Sequence, residues 1–449
     1  MQQRITKMKM DSFRYLCMLV ALCMTGLMAC AGGDTTKVAH SNAMNDSGSN
    51  TDKSAAADTS IKLPAGFGIV TVAEGLGQAR HIAVASNGII YVRNGRLRDG
   101  RKGIYRLEDT NGDGKADKIS NFGSFAGTGI TIRNGYLYAS SDEEVFRYKL
   151  DANNNVIDPD KPERIVTGLL SRHEHEPKAI TLDYDGNLYV NIGAYSNACQ
   201  MQDRTKGSPG MKPCPILDSA GGIWQFKADK PDQTYGDGVR YATGLRNVVG
   251  LDWNTATHSL FVMQHGRDQL SMLFPDLYDT KQSAELPAEC MYELHKGSNC
   301  GWPYIYYDQF QHKKILAPEF GGDGKKTAGE DAQDPVAAYP GHLAPNGLLF
   351  YTGTQFPEKY RNGAFIAFHG SWNRAPEPQK GFFVVFQPFK DGKPSGDWEV
   401  FADNFSGGPE LTASGRVKHR PCGLAQGPDG SLYVTDDLKG TVWKISYKN

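Results

Sequence analysis

Six times along the chain a turn leads into the same kind of strand: NGIIYVRN (87–94), NGYLYASS (134–141), DGNLYVNI (185–192), THSLFVMQ (257–264), NGAFIAFH (362–369) and DGSLYVTD (429–436). Five of the six open on Asn-Gly or Asp-Gly, which accept the positive φ of a tight hairpin turn, and continue with β-branched and aromatic residues in alternation. A short strand precedes each turn (HIAVAS, GITIR, AITLDY, VGLDW, GLLFY, GLAQG), and a strand bearing an aromatic residue follows it (GIYRLE, EVFRYK, GIWQFK, MYELHK, GFFVVF, GTVWKI). One such unit cannot bury its own faces. Six copies without helical periodicity therefore predict an all-β fold, a six-bladed β-propeller in which radial repetition protects the sheet edges. A pair of β-sandwiches is the alternative, but its repeat would not be sixfold.

The turns are spaced 47, 51, 72, 105 and 67 residues apart, and the surplus falls in long inserted loops around 195–220, 268–290 and 305–335. Long loops on a regular scaffold are where function concentrates. All innermost strands of a propeller run the same way, so the residues just before them open onto one mouth of the central channel. Those residues are Arg80 and His81, Thr128, His175, Arg246 and Asn247, Asn346, and Lys418-His419-Arg420. Cations packed around a histidine cost energy unless an anion sits among them, so a polyanion, bridged by a metal ion, is the expected ligand. Within HEHEPKAITLDYDGNLYV (173–190), His175 belongs to this ring, as a catalytic or ligand-contacting group or as a structural hydrogen-bonding one, while His173 lies farther out.

The N-terminus carries Arg4, Lys7, Lys9 and Arg14, then an apolar run from Tyr15 ending in Leu27-Met28-Ala29-Cys30. That run is shorter than the ~20 residues of a membrane span and predicts a signal peptide over residues 1–29, with an uncleaved anchor as the alternative. Its ending resembles a bacterial lipobox, which makes Cys30 the expected lipidation site and the cell envelope, periplasmic or surface-exposed, the expected location. Residues 31–60 contain no aromatic residue and predict a disordered tether. The propeller then spans 61–449. With a formal net charge of −1 and no basic run, nucleic acid is not an expected partner.

Beyond Cys30 there are five cysteines. Their spacing predicts disulfides Cys199–Cys214 and Cys290–Cys300 with Cys422 free; zinc is the rival, without a Cys-x-x-Cys spacing to support it. In DTNGDGKAD, Asp109, Asn111, Asp113 and Asp117 have EF-hand-like spacing with Gly114 at the turn, so this loop is either a second calcium site or a metal-free Gly/Asp hairpin.

The segments HEHEPKAITLDYDGNLYVNIG, GLRNVVGLDW, CGWPY, GLLFYTGTQFPEKYRNGAFIAFHGSWNR and RPCGLAQGPDGSLYVTDD together resemble the soluble quinoprotein glucose/sorbosone dehydrogenase family, closer to its sorbosone dehydrogenase-like branch. The resemblance implies a six-bladed propeller holding pyrroloquinoline quinone (PQQ) and calcium at the channel mouth and oxidising a small sugar. It casts His175 as general base, Glu174 as its acidic neighbour, and Arg246 and Asn247 as quinone contacts. Lys418 and Arg420 fall where two cations bind PQQ carboxylates, Lys418 replacing an arginine. Gly266 and Arg267 supply backbone carbonyls to calcium. Arg374 is the nearest candidate for a fifth-blade lysine of the glucose enzymes, and their second-blade glutamine has no counterpart in GTGITIRNG. The electron acceptor is left open. Two other readings compete: a calcium-dependent lactonase-like hydrolase, and a non-catalytic lipoprotein binding carbohydrate or protein, with Trp302, Tyr304, Tyr306, Tyr307 and Trp372 as aromatic platforms.

Overall fold

The computed structural model describes residues 60–408 and 416–448. The signal peptide, the Cys30 lipidation site and nearly all of the tether lie outside the described residues. Six sheets, here blades 1 to 6, follow one another along the chain, antiparallel except for a two-residue parallel edge strand on blade 2 and another on blade 3. Their innermost strands are Ala79–Val84, Ile130–Arg133, Ile180–Leu182, Val248–Asn254, Pro345–Tyr351 and Pro421–Gln426. Each pairs across its turn with the repeated motif, now the second strand: Ile90–Asn94, Tyr136–Ser140, Asn187–Ile192, Ser259–Gln264, Gly363–Phe368 and Leu432–Asp436. The inner strands touch one another in sequence around a closed ring, 1 against 2 through to 6 against 1. Closure is made by the chain's ends, because Phe67–Ala73 is the outermost strand of blade 6 and pairs with Thr441–Tyr447, Phe67 opposite Tyr447.

Burial follows position within a blade. The second strands are almost wholly buried, since neighbouring blades cover both of their faces, whereas the outermost strand of blade 1, Lys118–Phe122, is exposed except at Phe122. The apolar clusters lie between blades; Phe356, Phe365, Phe386, Phe401 and Trp443, for example, join blades 5 and 6. A cavity of about 350 Å³ runs along the axis, lined by residues of all six inner strands.

The inserted loops are the three expected. Residues 268–290 form the short helices Leu270–Leu273 and Thr280–Glu285, and 305–335 hold the hairpin Ile305–Asp308 with Lys313–Leu316. The 195–220 loop is closed by Cys199–Cys214. The second expected bridge is not formed: Cys290 and Cys300 are free buried thiols, as is Cys422. Cys290 sits in a blade 4 strand with its thiol toward the Ala288 carbonyl, while Cys300 follows Ser298–Asn299, which pairs with blade 3. Each is fixed by a different strand pairing and fills the same apolar cluster, where burial raises both thiol pKa values.

Candidate active site

Bulges shape the mouth. The inner strands of blades 1, 4, 5 and 6 shift register at their first residues, between Ala79 and Ile82, Val248 and Leu251, Pro345 and Gly347, and Pro421 and Leu424. An extra residue re-aims side chains that strict alternation would bury. Because each second strand returns antiparallel, its last residues end at the same mouth as the first residues of the inner strand.

Two charge networks meet there. In the first, Arg80 donates from Nε to Thr128 Oγ1 (3.2 Å) and from Nη1 to Asp437 Oδ2 (2.5 Å), while His369 Nε2 lies 2.7 Å from Asp437 Oδ1. Burial works to raise the Asp437 pKa, but His369 and Arg80 more than offset it and hold the carboxyl well below its ordinary range. Beside this network, Arg420 lies over the Phe382 ring at 5.0 Å, and its guanidinium donates to the Gly370 carbonyl (3.0 Å).

The second network centres on Asp268, with Arg246 Nη2 at 2.8 Å, Arg204 Nη2 at 3.3 Å, Asn373 Nδ2 at 2.5 Å and His342 Nδ1 at 3.6 Å. Its burial is likewise outweighed by the Arg246, His342 and Arg204 charges, so it stays ionised far below the usual carboxylate range. Arg246 also donates to the carbonyls of Asn197 (3.2 Å) and Gly266 (2.9 Å). Arg204 reaches back to Glu174 at 2.9 Å.

His175 stands where these elements converge, with a left-handed φ of 54°. Its Nδ1 is hydrogen-bonded to the Ala194 carbonyl. A carbonyl only accepts, so Nδ1 carries the hydrogen and Nε2 presents its lone pair. Burial and the Arg246 charge push the His175 pKa down to about 3, and the same two causes bring neighbouring His265 to about 3; both rings are neutral near pH 7. Gly193 is required beside them, because a Cβ there would lie 2.5 Å from His175 Cβ and 2.8 Å from Asn247 Oδ1. Asn247 Oδ1 accepts from Asn191 (3.1 Å).

The structure thus brings together His175, Glu174, Arg246 and Asn247, with Arg420 on the opposite side; Lys418 is exposed at the entry to blade 6. It gives Arg374 a different role. That guanidinium is buried and spent on the carbonyls of Ala284, Gly341 and Pro378 and on Glu285 at 2.6 Å, while His369 and Asn373, after the second strand of blade 5, reach the carboxylates of the mouth. The Arg267 side chain is turned into a buried ion pair with Glu319 (2.5 Å), leaving only its backbone for any ligand. At the proposed second calcium loop, Asp109 accepts from the amides of Gly112 and Gly114, Asp113 from that of Lys115, and Asp117 from that of Thr110. These bonds close the loop as a Gly/Asp turn, and among the described residues no three Asp, Glu, His or Cys side chains gather at metal-binding distance. Of the aromatic candidates, Trp302 and Tyr306 are core residues, whereas Trp372 is 69% exposed.

Sequence reasoning missed Asp268, Arg204, His265, His369 and Asp437. Four of these five lie just after a second strand, in HGRD, FHG and VTDD, and would follow from reading the second-strand ends as well as the inner-strand starts. Arg204, inside an inserted loop, carries no such signal.

Comparison with known proteins bears on the fold and the family. An uncharacterised protein of Borreliella burgdorferi is 25% identical over 281 residues, 61% of each chain, so this chain spans less than two thirds of that relative. A pyrroloquinoline quinone-dependent sugar dehydrogenase of Hypocrea jecorina is 24% identical over 344 residues, 71% of this chain and 73% of its own. The calcium structure of the Trichoderma reesei carbohydrate-active enzyme of family AA12 has the same fold, with a TM-score of 0.68 at 19% identity over 86% of this chain and 97% of that one. The TrAA12-like family profile matches residues 61–448, essentially the whole propeller, and the chain belongs to that family.

Proposed function

We propose that this protein is a PQQ-dependent dehydrogenase of an aldose or related sugar aldehyde, with calcium holding the cofactor. The observation that carries the reading is a neutral, tautomer-fixed His175 beside Arg246 in a mouth lined by further cations. The donor set suits an anionic quinone. Among the described residues the Arg420 guanidinium uses one of its five N–H groups and the Asn247 amide nitrogen makes no hydrogen bond, and Lys418 adds a charge at the rim. For calcium, the Gly266 carbonyl has one lone pair engaged by Arg246, and the Arg267 carbonyl accepts no backbone or side-chain hydrogen bond among the described residues. Backbone oxygens of this kind suit a hard cation.

When bound, PQQ supplies the carbonyl that receives hydride, and calcium polarises it. The protein's part is proton transfer and positioning. His175 Nε2 takes the proton of the sugar hydroxyl, while the Nδ1–H bond to Ala194 holds the ring in the tautomer that can do so. A base near pKa 3 is too weak for this near pH 7; burial is the larger cause and Arg246 the second, and an anion placed beside Arg246 offsets the second and moves the pKa upward. Arg246, held by Asn197, Gly266 and Asp268, is fixed where negative charge develops. Cys30 would tether the enzyme to the cell envelope through lipid, and Cys30→Ser should then release it without unfolding it; a mature N-terminus elsewhere by mass spectrometry would refute the anchor.

The decisive test is an absorbance titration of purified protein with PQQ and calcium, followed by a dye-linked screen of aldoses. Saturable quinone binding with aldose-dependent dye reduction is expected. Absence of PQQ affinity would sink the dehydrogenase reading and favour a binding module.

A further inference from the structure

One loop touches every group assigned above to proton transfer. It leaves blade 3 after Asn187–Ile192 and is closed by Cys199–Cys214. Its Ala194 carbonyl accepts from His175, its Ala194 amide donates to the Arg246 carbonyl (2.8 Å), and its Asn197 carbonyl accepts from Arg246 Nε. The Asn197 side chain is bonded in both directions to the backbone of Asp268, at 2.8 and 3.0 Å. Asp203 folds the loop back on itself, accepting from Ser196 Oγ (2.5 Å) and the Asn197 amide (3.0 Å), and Ser196 Oγ accepts in turn from the Cys199 amide (2.9 Å).

This folding aims Arg204. Its backbone is left-handed, φ 51°, a conformation a non-glycine residue keeps only when its surroundings impose it. Its fork meets Glu174 at 2.9 and 3.4 Å and Asp268 at 3.3 Å from both terminal nitrogens. One guanidinium therefore joins the carboxylate next to His175 in sequence with the carboxylate that grips Arg246. Without it, two negative groups would face each other across the site. Lysine could supply the charge but not the planar fork. The two cysteines are buried in an apolar cluster with Ile216 and Trp302, so the covalent closure anchors the loop's base in the core while Arg204 works at the mouth.

We propose that Arg204, presented by the disulfide-closed loop 194–214, is the positioning residue of this site, tying Glu174 to Asp268 so that His175 and Arg246 keep one arrangement. The catalytic consequence rests on the dehydrogenase reading; the positioning itself does not.

The test uses the full chain as Arg204→Gln, Arg204→Lys and the double variant Cys199→Ser/Cys214→Ser. Without cofactor, exchange of the hydrogen-bonded amides of Ala194, Asn197, Cys199, Met201 and Gln202 should rise about tenfold or more in Arg204→Gln and in the double variant, with the blade strands unchanged. With PQQ and calcium, turnover of an aldose should fall about 10- to 100-fold, the range for a lost supporting contact, while PQQ titration and KM change little and Arg204→Lys recovers part of the rate. Wild-type exchange over 194–204 in both disrupted variants would overturn the proposal, as would turnover within about twofold of wild type in Arg204→Gln, a change too small for a supporting contact of this kind. If wild type binds no PQQ, the dehydrogenase reading fails and the exchange measurement alone decides the role of Arg204. If Arg204→Gln does not fold, the double variant carries the exchange test.

Discussion

The imidazole of His175 is bonded through Nδ1 to the backbone carbonyl of Ala194, 19 residues farther along the chain. That single contact assigns the ring hydrogen and leaves Nε2 as the basic atom. It also separates His175 from exposed His173, which shares the motif but not the environment.

If Nε2 is the base, His175→Ala should lower turnover by ~10²–10⁴-fold, the usual span for a positioned general base, with PQQ affinity nearly intact. His173→Ala should change neither. A metal-site reading of HEHE requires the two variants to behave alike and to release a transition metal, which elemental analysis would detect.

Arg420 makes the opposite kind of contribution. Its guanidinium is anchored by a bond to Gly370 and lies over Phe382, and among the described residues its other N–H groups have no hydrogen-bond partner. Arg420→Ala should therefore weaken PQQ binding by about 1.5–3 kcal/mol, roughly 10- to 150-fold in Kd, before it affects the rate of bound enzyme. Equal loss of turnover at saturating PQQ, with Kd unchanged, would place Arg420 outside the cofactor contacts.

The propeller was legible because its signal is local and repeated: a turn pair followed by alternating residues states strand, direction and register six times. The mouth was half legible. Inner-strand starts such as Arg246 and Asn247 could be read from direction alone, whereas His369 and Asp437 needed the observation that hairpin partners end where inner strands begin. Arg374 misled because its neighbour in sequence, Asn373, does reach Asp268, while Arg374 is drawn to Glu285 and three carbonyls below. Arg204 was not legible at all, since its place depends on a loop fold set by a disulfide and by Asp203. The same limit explains Cys290 and Cys300: spacing measures distance along the chain, and here strand pairing to different blades decides what each sulfur meets.

Those cysteines make a countable prediction. Residues 31–449 contain Cys199 and Cys214 as a bridge and Cys290, Cys300 and Cys422 as thiols. Denatured, non-reduced protein lacking the first 30 residues should titrate three thiols, and native protein should react slowly because all three are buried. A count of one would restore the Cys290–Cys300 bridge; five would remove Cys199–Cys214.

His81 predicts how the fold responds to acid. Its Nε2 is bonded to the Asn346 carbonyl (2.9 Å), and burial together with the Arg80 charge lowers its pKa from 6.5 to about 4. Between those two values the unfolded chain binds a proton that the folded chain refuses. The contribution to stability is therefore complete above pH 6.5 and is lost progressively as pH falls toward about 4. At pH 5 the loss from this one residue is about 2 kcal/mol. In His81→Gln the amide can still donate to Asn346 but cannot titrate, so the variant should lose about 2 kcal/mol less than wild type between pH 7 and pH 5 in urea unfolding. Parallel losses in the two proteins would mean that His81 takes up its proton in the folded state as readily as in the unfolded chain.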